Sequence, residues 1–86
     1  MPKIQESAEN YLETILVLQK RHGHVRSIDI ANELSFSKPS VSVAMKNLRL
    51  NGLIEIDEDG IITLQEAGRV IAERIYERHT LLTQWL

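Results

Sequence analysis

The apolar residues of this chain recur every three or four positions up to Gly52, and from Leu53 they alternate with polar residues on either side of a turn at residues 58–60. A spacing near 3.6 residues is typical of amphipathic helices, and a spacing of two is typical of strands. This change of period predicts three helices followed by a two-stranded hairpin. The helical spacing returns after Leu64 and continues to the end of the chain, which predicts one more helix.

Glycine and serine mark the expected ends of the first three helices. The first helix is expected over residues 4–22, because Gly23 favours the backbone conformation that ends a helix. Ser27 is expected to cap the second helix and Ser37 the third, since a serine side chain at this position accepts a hydrogen bond from a free amide of the first turn. Only residues 35–37 separate these two helices, so the turn between them must be tight.

Two short helices joined by a tight turn, with a hairpin after them, form the winged helix-turn-helix arrangement. The predicted fold class is therefore mainly α with a small β-hairpin: a winged helix-turn-helix over residues 1–64, followed by a long C-terminal helix over residues 65–86. A chain of 86 residues is expected to build one hydrophobic core. The last helix ends in four large apolar residues, which indicates a helix that is unfinished or that packs against a partner.

The distribution of charge points to a polyanion as the partner of the middle of the chain. The net charge of −2, from 10 Lys and Arg against 12 Asp and Glu, disfavours nucleic acid when taken by itself. However, residues 20–51 carry a net charge of +4, and acidic segments flank them on both sides. No Asp or Glu lies between Leu34 and Leu53, so the third helix carries no carboxylate that would repel phosphate.

The outward positions of the third helix carry side chains of the kinds that contact DNA. Hydroxyl groups and free amides at a helix N-terminus bind phosphate oxygens. Pro39 and Val43 can contact thymine methyl groups, while Lys46 and Asn47 can reach bases or phosphates. Arg26 and Ser27, at the start of the second helix, are added to this set. The candidate DNA-binding residues are therefore Arg26, Ser27, Ser37, Lys38, Pro39, Ser40, Ser42, Val43, Lys46 and Asn47.

The acidic tip of the hairpin, residues 57–59, leaves another use of this fold open. A hairpin that lies along phosphates would more usually carry Arg or Lys. The acidic tip suits a winged helix that contacts only proteins. In that interpretation the serines of the third helix only cap it, and its basic residues form a solvated face.

A second group of candidates consists of metal ligands. Glu6, Glu9, Asn10 and Glu13 fall on one face of the first helix, and His79 lies in an apolar row of the last helix. If these helices pack together, the imidazole approaches carboxylate and amide oxygens, a mixture of donors that suits divalent iron, manganese, cobalt or nickel. A solvated acidic face and a partly buried histidine satisfied by hydrogen bonds are the alternative interpretation.

Other classes of function lack their usual sequence features. We expect no enzyme, because the chain shows no pairing of a nucleophile with a base, no phosphate-binding glycine loop and too little length to enclose a pocket. The longest apolar run is four residues, at 15–18, so no membrane contact is expected. The chain has no cysteine, which excludes disulfides and cysteine-based metal sites, and a cytoplasmic location is expected.

Six stretches of the sequence carry a family resemblance: residues 9–15, 26–31, 37–42, 50–54, 64–68 and 77–82. The most specific are Glu-Asn-Tyr-Leu-Glu-Thr-Ile in the first and Arg-His-Thr-Leu-Leu in the last. In their order and spacing, the six resemble the DtxR/MntR family of iron- and manganese-dependent bacterial repressors. The resemblance covers essentially the whole chain.

The resemblance implies a metal-dependent transcriptional repressor with Mn²⁺ or Fe²⁺ as its co-repressor. By position it implies Asn10, Glu13 and His79 as metal ligands, where other members carry Met or Asp in place of Asn10. It also implies a homodimer, formed through the helix of residues 65–86 and a further region, on a palindromic operator in double-stranded DNA. Thr83 stands where some members carry a glutamate ligand of the metal. Val43 stands where some members carry a polar residue that contacts bases. A metal-independent winged-helix regulator is the alternative.

Overall fold

The computed structural model describes the backbone of residues 6–85 and the side chains of residues 7–81. Within these residues, helices and strands follow one another in the order that the sequence predicts. The elements are α1 (Glu6–His22), α2 (Ser27–Leu34), α3 (Lys38–Leu50), β1 (Ile54–Ile56), β2 (Ile62–Leu64) and α4 (Glu66–Trp85). The predicted fold class, mainly α with a small β-hairpin, is confirmed. The expected start of the first helix near Ile4 lies outside the described residues.

The hairpin of β1 and β2 is joined to the helices by a backbone hydrogen bond. The two strands are antiparallel, with Ile54 opposite Leu64 and Ile56 opposite Ile62. Three of these side chains are buried and that of Ile56 is half-buried, because alternate residues of a strand face the same side. The N–H of Ile62 donates to the carbonyl of Val25 at 2.8 Å. The extended segment before α2 therefore pairs with β2 and holds the hairpin against the helix-turn-helix.

One hydrophobic core lies between the helices and the hairpin. Its largest fully buried side chains are Leu12, Ile15, Leu18, Val25, Ile30, Val41, Met45 and Ile62. α4 adds Ala72 and Ile75, which are buried beside α1. No polar or charged residue is buried among those whose side chains are described, so burial of apolar surface is the main source of stability.

The N-terminus of α2 differs from the prediction. Arg26, with an extended backbone (φ −123°, ψ 166°), is the N-cap residue, and Ser27 is the first residue of the helix. The backbone N–H of Arg26 donates to Oδ2 of Asp29 at 2.9 Å. The prediction of Ser27 as the cap was wrong because Val25 must remain extended to pair with β2, and the helix starts as soon as that pairing ends.

The turn between α2 and α3 is as tight as the sequence requires. Ser35 adopts a left-handed backbone (φ 58°, ψ 38°), which reverses the chain at the end of α2. Ser37 then caps α3: its Oγ accepts a hydrogen bond from the N–H of Ser40 at 3.3 Å. The predicted cap of the third helix is thereby confirmed, with Pro39 in the first turn, where its missing N–H breaks no helical bond.

The start of α4 presses against the end of the α3–β1 connection. The N–H of Gln65 donates to the carbonyl oxygen of Leu53 at 3.0 Å. Gly68, in the first turn of α4, lies so close to the same oxygen that a Cβ at this position would overlap it. The absence of a side chain at Gly68 therefore sets how closely α4 approaches the hairpin.

Candidate nucleic-acid interface and metal-ligand pair

The candidate DNA-binding residues of α3 form one continuous exposed surface. All eight are exposed, while Val41, Met45 and Leu48 on the opposite side of the helix are buried in the core. We call this exposed set the α3 surface: Ser37, Lys38, Pro39, Ser40, Ser42, Val43, Lys46 and Asn47. These residues lie on one face of a single helix, and the major groove of DNA is wide enough to admit an α-helix.

The electrostatic character of the α3 surface favours an anionic partner. α3 contains Lys38, Lys46 and Arg49 and no acidic residue. Its N-terminus presents the positive end of the helix dipole, with the N–H of Ser40 bonded to Ser37 and no N–H on Pro39. The Oγ of Ser37 donates to the Oγ of Ser40 at 2.8 Å, so both hydroxyls lie at this N-terminus. Phosphate oxygens are the ligands that such an end binds best.

Arg26 lies where α2 meets the tip of the hairpin. Its Nε donates to the carbonyl oxygen of Asp59 at 3.1 Å, and the side chain is exposed. A guanidinium has five N–H donors, so this bond leaves other donors for a phosphate. Sequence reasoning identified Arg26 only as a DNA contact and missed its bond to the hairpin. Ser27, beside it, is half-buried at the first position of α2.

The acidic tip of the hairpin is built around Asp57. Its Oδ1 accepts hydrogen bonds from the N–H groups of Asp59 and Ile61, both at 2.9 Å. Aspartate is common in turns because its short side chain binds backbone amides a few residues further on. The charge of Asp57 therefore shapes the turn. The sequence interpretation predicted the turn at residues 58–60 but treated the carboxylate of Asp57 only as surface charge, although an Asp followed three residues later by Gly is a signal for this role.

The predicted metal ligands Glu13 and His79 lie in contact across α1 and α4. Oε2 of Glu13 is 2.7 Å from Nδ1 of His79, with side-chain exposures of 18% and 54% respectively. Asn10 lies one turn earlier on α1, and its side chain is exposed. Among the described residues, no group of three or more His, Cys, Asp or Glu is arranged to hold a metal ion. Glu13 and His79 place one carboxylate oxygen and one imidazole nitrogen side by side, which are donor types that divalent transition metals bind.

The packing of α4 on α1 explains why these two residues meet. Ile75, one turn before His79, is buried beside α1, and His79 follows it on the same side of α4 with its side chain still exposed. On the same pair of helices, Nζ of Lys20 lies 5.3 Å from the centre of the Tyr76 ring, within the range of a cation–π contact. The side chain of Thr83 lies outside those that the structure describes.

The sequence of this chain matches a known family over most of its length. The pattern described as "Iron dependent repressor, N-terminal DNA binding domain" matches residues 3–61. The chain belongs to the iron dependent repressor family. This agrees with the resemblance that the sequence motifs indicated, and the description of the family names a DNA-binding domain.

Curated relatives of this chain include transcriptional regulators named MntR. The HTH-type transcriptional regulator MntR of Geobacillus kaustophilus is 34% identical over 80 residues, which are 93% of this chain and 57% of that protein. The transcriptional regulator MntR of Escherichia coli O6:H1 is 32% identical over 82 residues, which are 95% of this chain and 53% of that protein. The chain thus spans about half the length of these relatives.

Solved structures of transcription regulators share the fold. The manganese regulator SloR superposes with a TM-score of 0.71 at 32% identity, over 84% of this chain and 34% of that one. The DNA complex of MepR from Staphylococcus aureus gives a TM-score of 0.69 at 25% identity, over 96% of this chain and 66% of that one. A MarR family protein from Bacillus stearothermophilus, at 22% identity and a TM-score of 0.71, shows the likeness of fold alone.

In the described residues, none of the helices has the length and apolar character that a membrane span needs.

Proposed function

We propose that this chain is the DNA-binding part of a metal-dependent transcriptional repressor that binds a palindromic operator when loaded with Mn²⁺ or Fe²⁺. The observation that carries the proposal is the contact of Glu13 with His79, at 2.7 Å, in a chain that also presents an exposed, basic α3. The first feature suits a divalent cation and the second suits DNA. A protein that regulates transcription works where the chromosome lies, so a cytoplasmic location belongs to the proposal.

In the proposed complex, the α3 surface lies in the major groove of double-stranded DNA. Lys38 and the capped N-terminus of α3 contact phosphates, and Lys46 and Asn47 reach base edges or phosphates. Arg26 contacts phosphate beside the groove while its Nε holds the tip of the hairpin. Ser27, which starts α2 next to Arg26, lies near the same phosphates.

Glu13 and His79 are the residues that would hold the metal, with the Asn10 amide oxygen as a further donor one turn away. When bound, a divalent cation supplies positive charge shared by α1 and α4. Glu13 would contribute a carboxylate oxygen from α1, and His79 would contribute an imidazole nitrogen from α4. For metal to switch DNA binding, these residues must bind it more tightly in the arrangement that fits DNA than in any other arrangement.

We also propose a division of the chain at the end of the hairpin. Residues 1–64 form the DNA-binding unit, and residues 65–86 begin a linker and dimerisation helix of a homodimer. Two observations support this division: Leu81 of α4 is 49% exposed, and the chain spans about half the length of its curated relatives. A dimer with two-fold symmetry places two copies of α3 on the two halves of a palindrome.

The test is a titration of the complete native protein against a library of random DNA duplexes, with Mn²⁺, with Fe²⁺ and with a chelator. We expect palindromic sequences to be enriched in the presence of metal and to be lost when the chelator is added. Equal enrichment under all three conditions would favour the alternative, a metal-independent winged-helix regulator. That alternative draws support from the same contact, because the Glu13–His79 hydrogen bond joins α1 and α4 directly.

A third use of the fold, in contacts with proteins only, makes a different prediction for the same titration. It predicts no enriched sequence, and no loss of affinity on addition of salt. DNA binding through the α3 surface predicts a steep loss with salt, because each neutralised phosphate releases counterions. The variant Lys46→Ala is expected to weaken binding further and to reduce the salt dependence.

A further inference from the structure

The single phenylalanine of the chain lies in the turn between α2 and α3, where small or polar residues are the ordinary choice. The side chain of Phe36 is 48% exposed. Its backbone is fixed on both sides: the N–H of Phe36 donates to the carbonyl of Ala31 at 3.1 Å, and the next residue, Ser37, caps α3. A displacement of the Phe36 ring therefore acts directly on the residue at which the α3 surface begins.

The ring of Phe36 packs edge to face on the ring of Tyr11 in α1. The two ring centres are 6.0 Å apart, and the ring planes make an angle of 74°. Tyr11 is only 8% exposed, so its ring is held by the core around it. An aromatic pair is favourable over a limited range of distances and angles. The contact is therefore sensitive to a shift of α1 relative to the turn.

Tyr11 lies among the residues of α1 that are proposed to hold the metal. It directly follows Asn10 and precedes Glu13 by two positions, and the helix turns so that Asn10 is exposed while Tyr11 is buried. Backbone hydrogen bonds join each turn of a helix to the next. A change in the position of Glu13 relative to His79 is therefore also a change in the position of the Tyr11 ring.

The packing of the other elements leaves α1 and α3 largely apart. Within the described residues, α1 packs chiefly on α4, α2 and β2, and α3 packs chiefly on α2 and β1. The contact of Tyr11 with Phe36 reaches from α1 to the residue before the cap of α3. In a close-packed interior, a displaced side chain moves the side chains that it touches.

We propose that the contact of Tyr11 with Phe36 carries the effect of the metal from α1 to α3, which makes Phe36 a positioning residue for the α3 surface. The inference rests on the proposed function, because it requires metal to change the affinity for DNA. A ring pair that only stabilises the turn is the alternative. That role would change the stability of the fold and leave the response to metal intact.

The experiment compares operator affinities with Mn²⁺ and with chelator, for the complete native protein and a duplex enriched from the random library. Phe36→Leu keeps an apolar side chain but removes the ring, so the ratio of the two affinities is expected to fall about two- to tenfold, the strength of one edge-to-face pair. Phe36→Tyr keeps a ring and is expected to keep the ratio. The Mn²⁺ affinity measured without DNA is expected to equal that of the wild type in both variants, because Phe36 is not a ligand.

Two further variants test whether the two rings act as a pair. Tyr11→Leu is expected to lower the ratio by the same factor as Phe36→Leu, and the double variant by no more than either alone. Ile28→Ala is the matched control, because Ile28 is an apolar residue of α2 with 39% exposure that takes no part in the ring contact. Urea denaturation establishes that each variant is folded under the conditions of the binding measurement.

The outcomes separate the inference from the proposed function. If the wild-type ratio is near one, the proposed function fails and the inference fails with it. If the wild type responds to metal but Phe36→Leu keeps the full ratio, or if Ile28→Ala loses as much as Phe36→Leu, the inference is overturned and the proposed function stands. A ratio that both leucine variants lower, and that Phe36→Tyr and Ile28→Ala keep, supports both.

Discussion

The substitution Gly68→Ala separates local helix propensity from the packing seen in the structure. Alanine is favoured over glycine inside a helix by about 1 kcal/mol, so propensity alone predicts that the variant is more stable. The structure predicts the opposite sign. A Cβ at Gly68 would overlap the carbonyl oxygen of Leu53, which is backbone and has no rotamer through which it can move away.

The magnitude follows from three contributions. Overpacking costs about 1–3 kcal/mol when the neighbouring atoms must shift. The shift also weakens the hydrogen bond from Gln65 to the Leu53 carbonyl, which stabilises the fold by about 1 kcal/mol. Set against the gain of about 1 kcal/mol in propensity, the free energy of unfolding is expected to fall by about 1–3 kcal/mol in total.

Urea denaturation followed by circular dichroism measures this change, and thermal denaturation gives a second value, with about 4–8 °C in Tm for each kcal/mol in a domain of this size. Ala67→Gly is the matched control, because Ala67 is exposed in the same turn of α4. It measures the propensity difference alone and is expected to destabilise by about 0.5–1 kcal/mol. A Gly68→Ala variant that is more stable than the wild type would refute the close approach of α4 to the hairpin.

Three further substitutions test other contacts. Arg26→Lys removes the bond to the Asp59 carbonyl but keeps the charge. Urea denaturation should show that the free energy of unfolding falls by about 0.5–1.5 kcal/mol, whereas Arg49→Lys should change it by almost nothing. The salt dependence of DNA binding should stay the same in Arg26→Lys. Ser35→Gly relieves a left-handed backbone and should raise the urea midpoint by the equivalent of about 0.5–1 kcal/mol; a lower midpoint would contradict the φ of 58°. Asp57→Ala leaves two turn amides without their acceptor and should lower stability by about 1–2 kcal/mol, whereas Glu58→Ala should change it by less than about 0.5 kcal/mol.

The order of the elements could be predicted from the sequence because each element shows its own hydrophobic period. The buried face of α3 was predictable for the same reason, since Val41, Met45 and Leu48 recur at helical spacing. The cap of α3 by Ser37 is a local interaction, which a local pattern predicts. The cap of α2 was not predictable in this way, because the pairing of Val25 with β2 decides where that helix begins.

The candidate site was predictable as a set of residues but not as a geometry. Glu13 and His79 are 66 positions apart, and only the packing of α4 on α1 brings them to 2.7 Å. The bond of Arg26 to the tip of the hairpin depends on tertiary structure in the same way. Helical periodicity gives the face on which each residue lies, and the distance between two faces is set by the core between them.

The central claim is that metal controls DNA binding through Glu13 and His79. Its most direct test is the ratio of operator affinities with Mn²⁺ and with chelator, measured for the complete native protein and for Glu13→Ala, His79→Ala and the exposed control Glu77→Ala. Couplings between two sites commonly amount to about 5–150-fold in affinity. We expect a ratio in this range for the wild type and Glu77→Ala, and a ratio near one for the other two variants. An unchanged ratio in both Glu13→Ala and His79→Ala would contradict the claim.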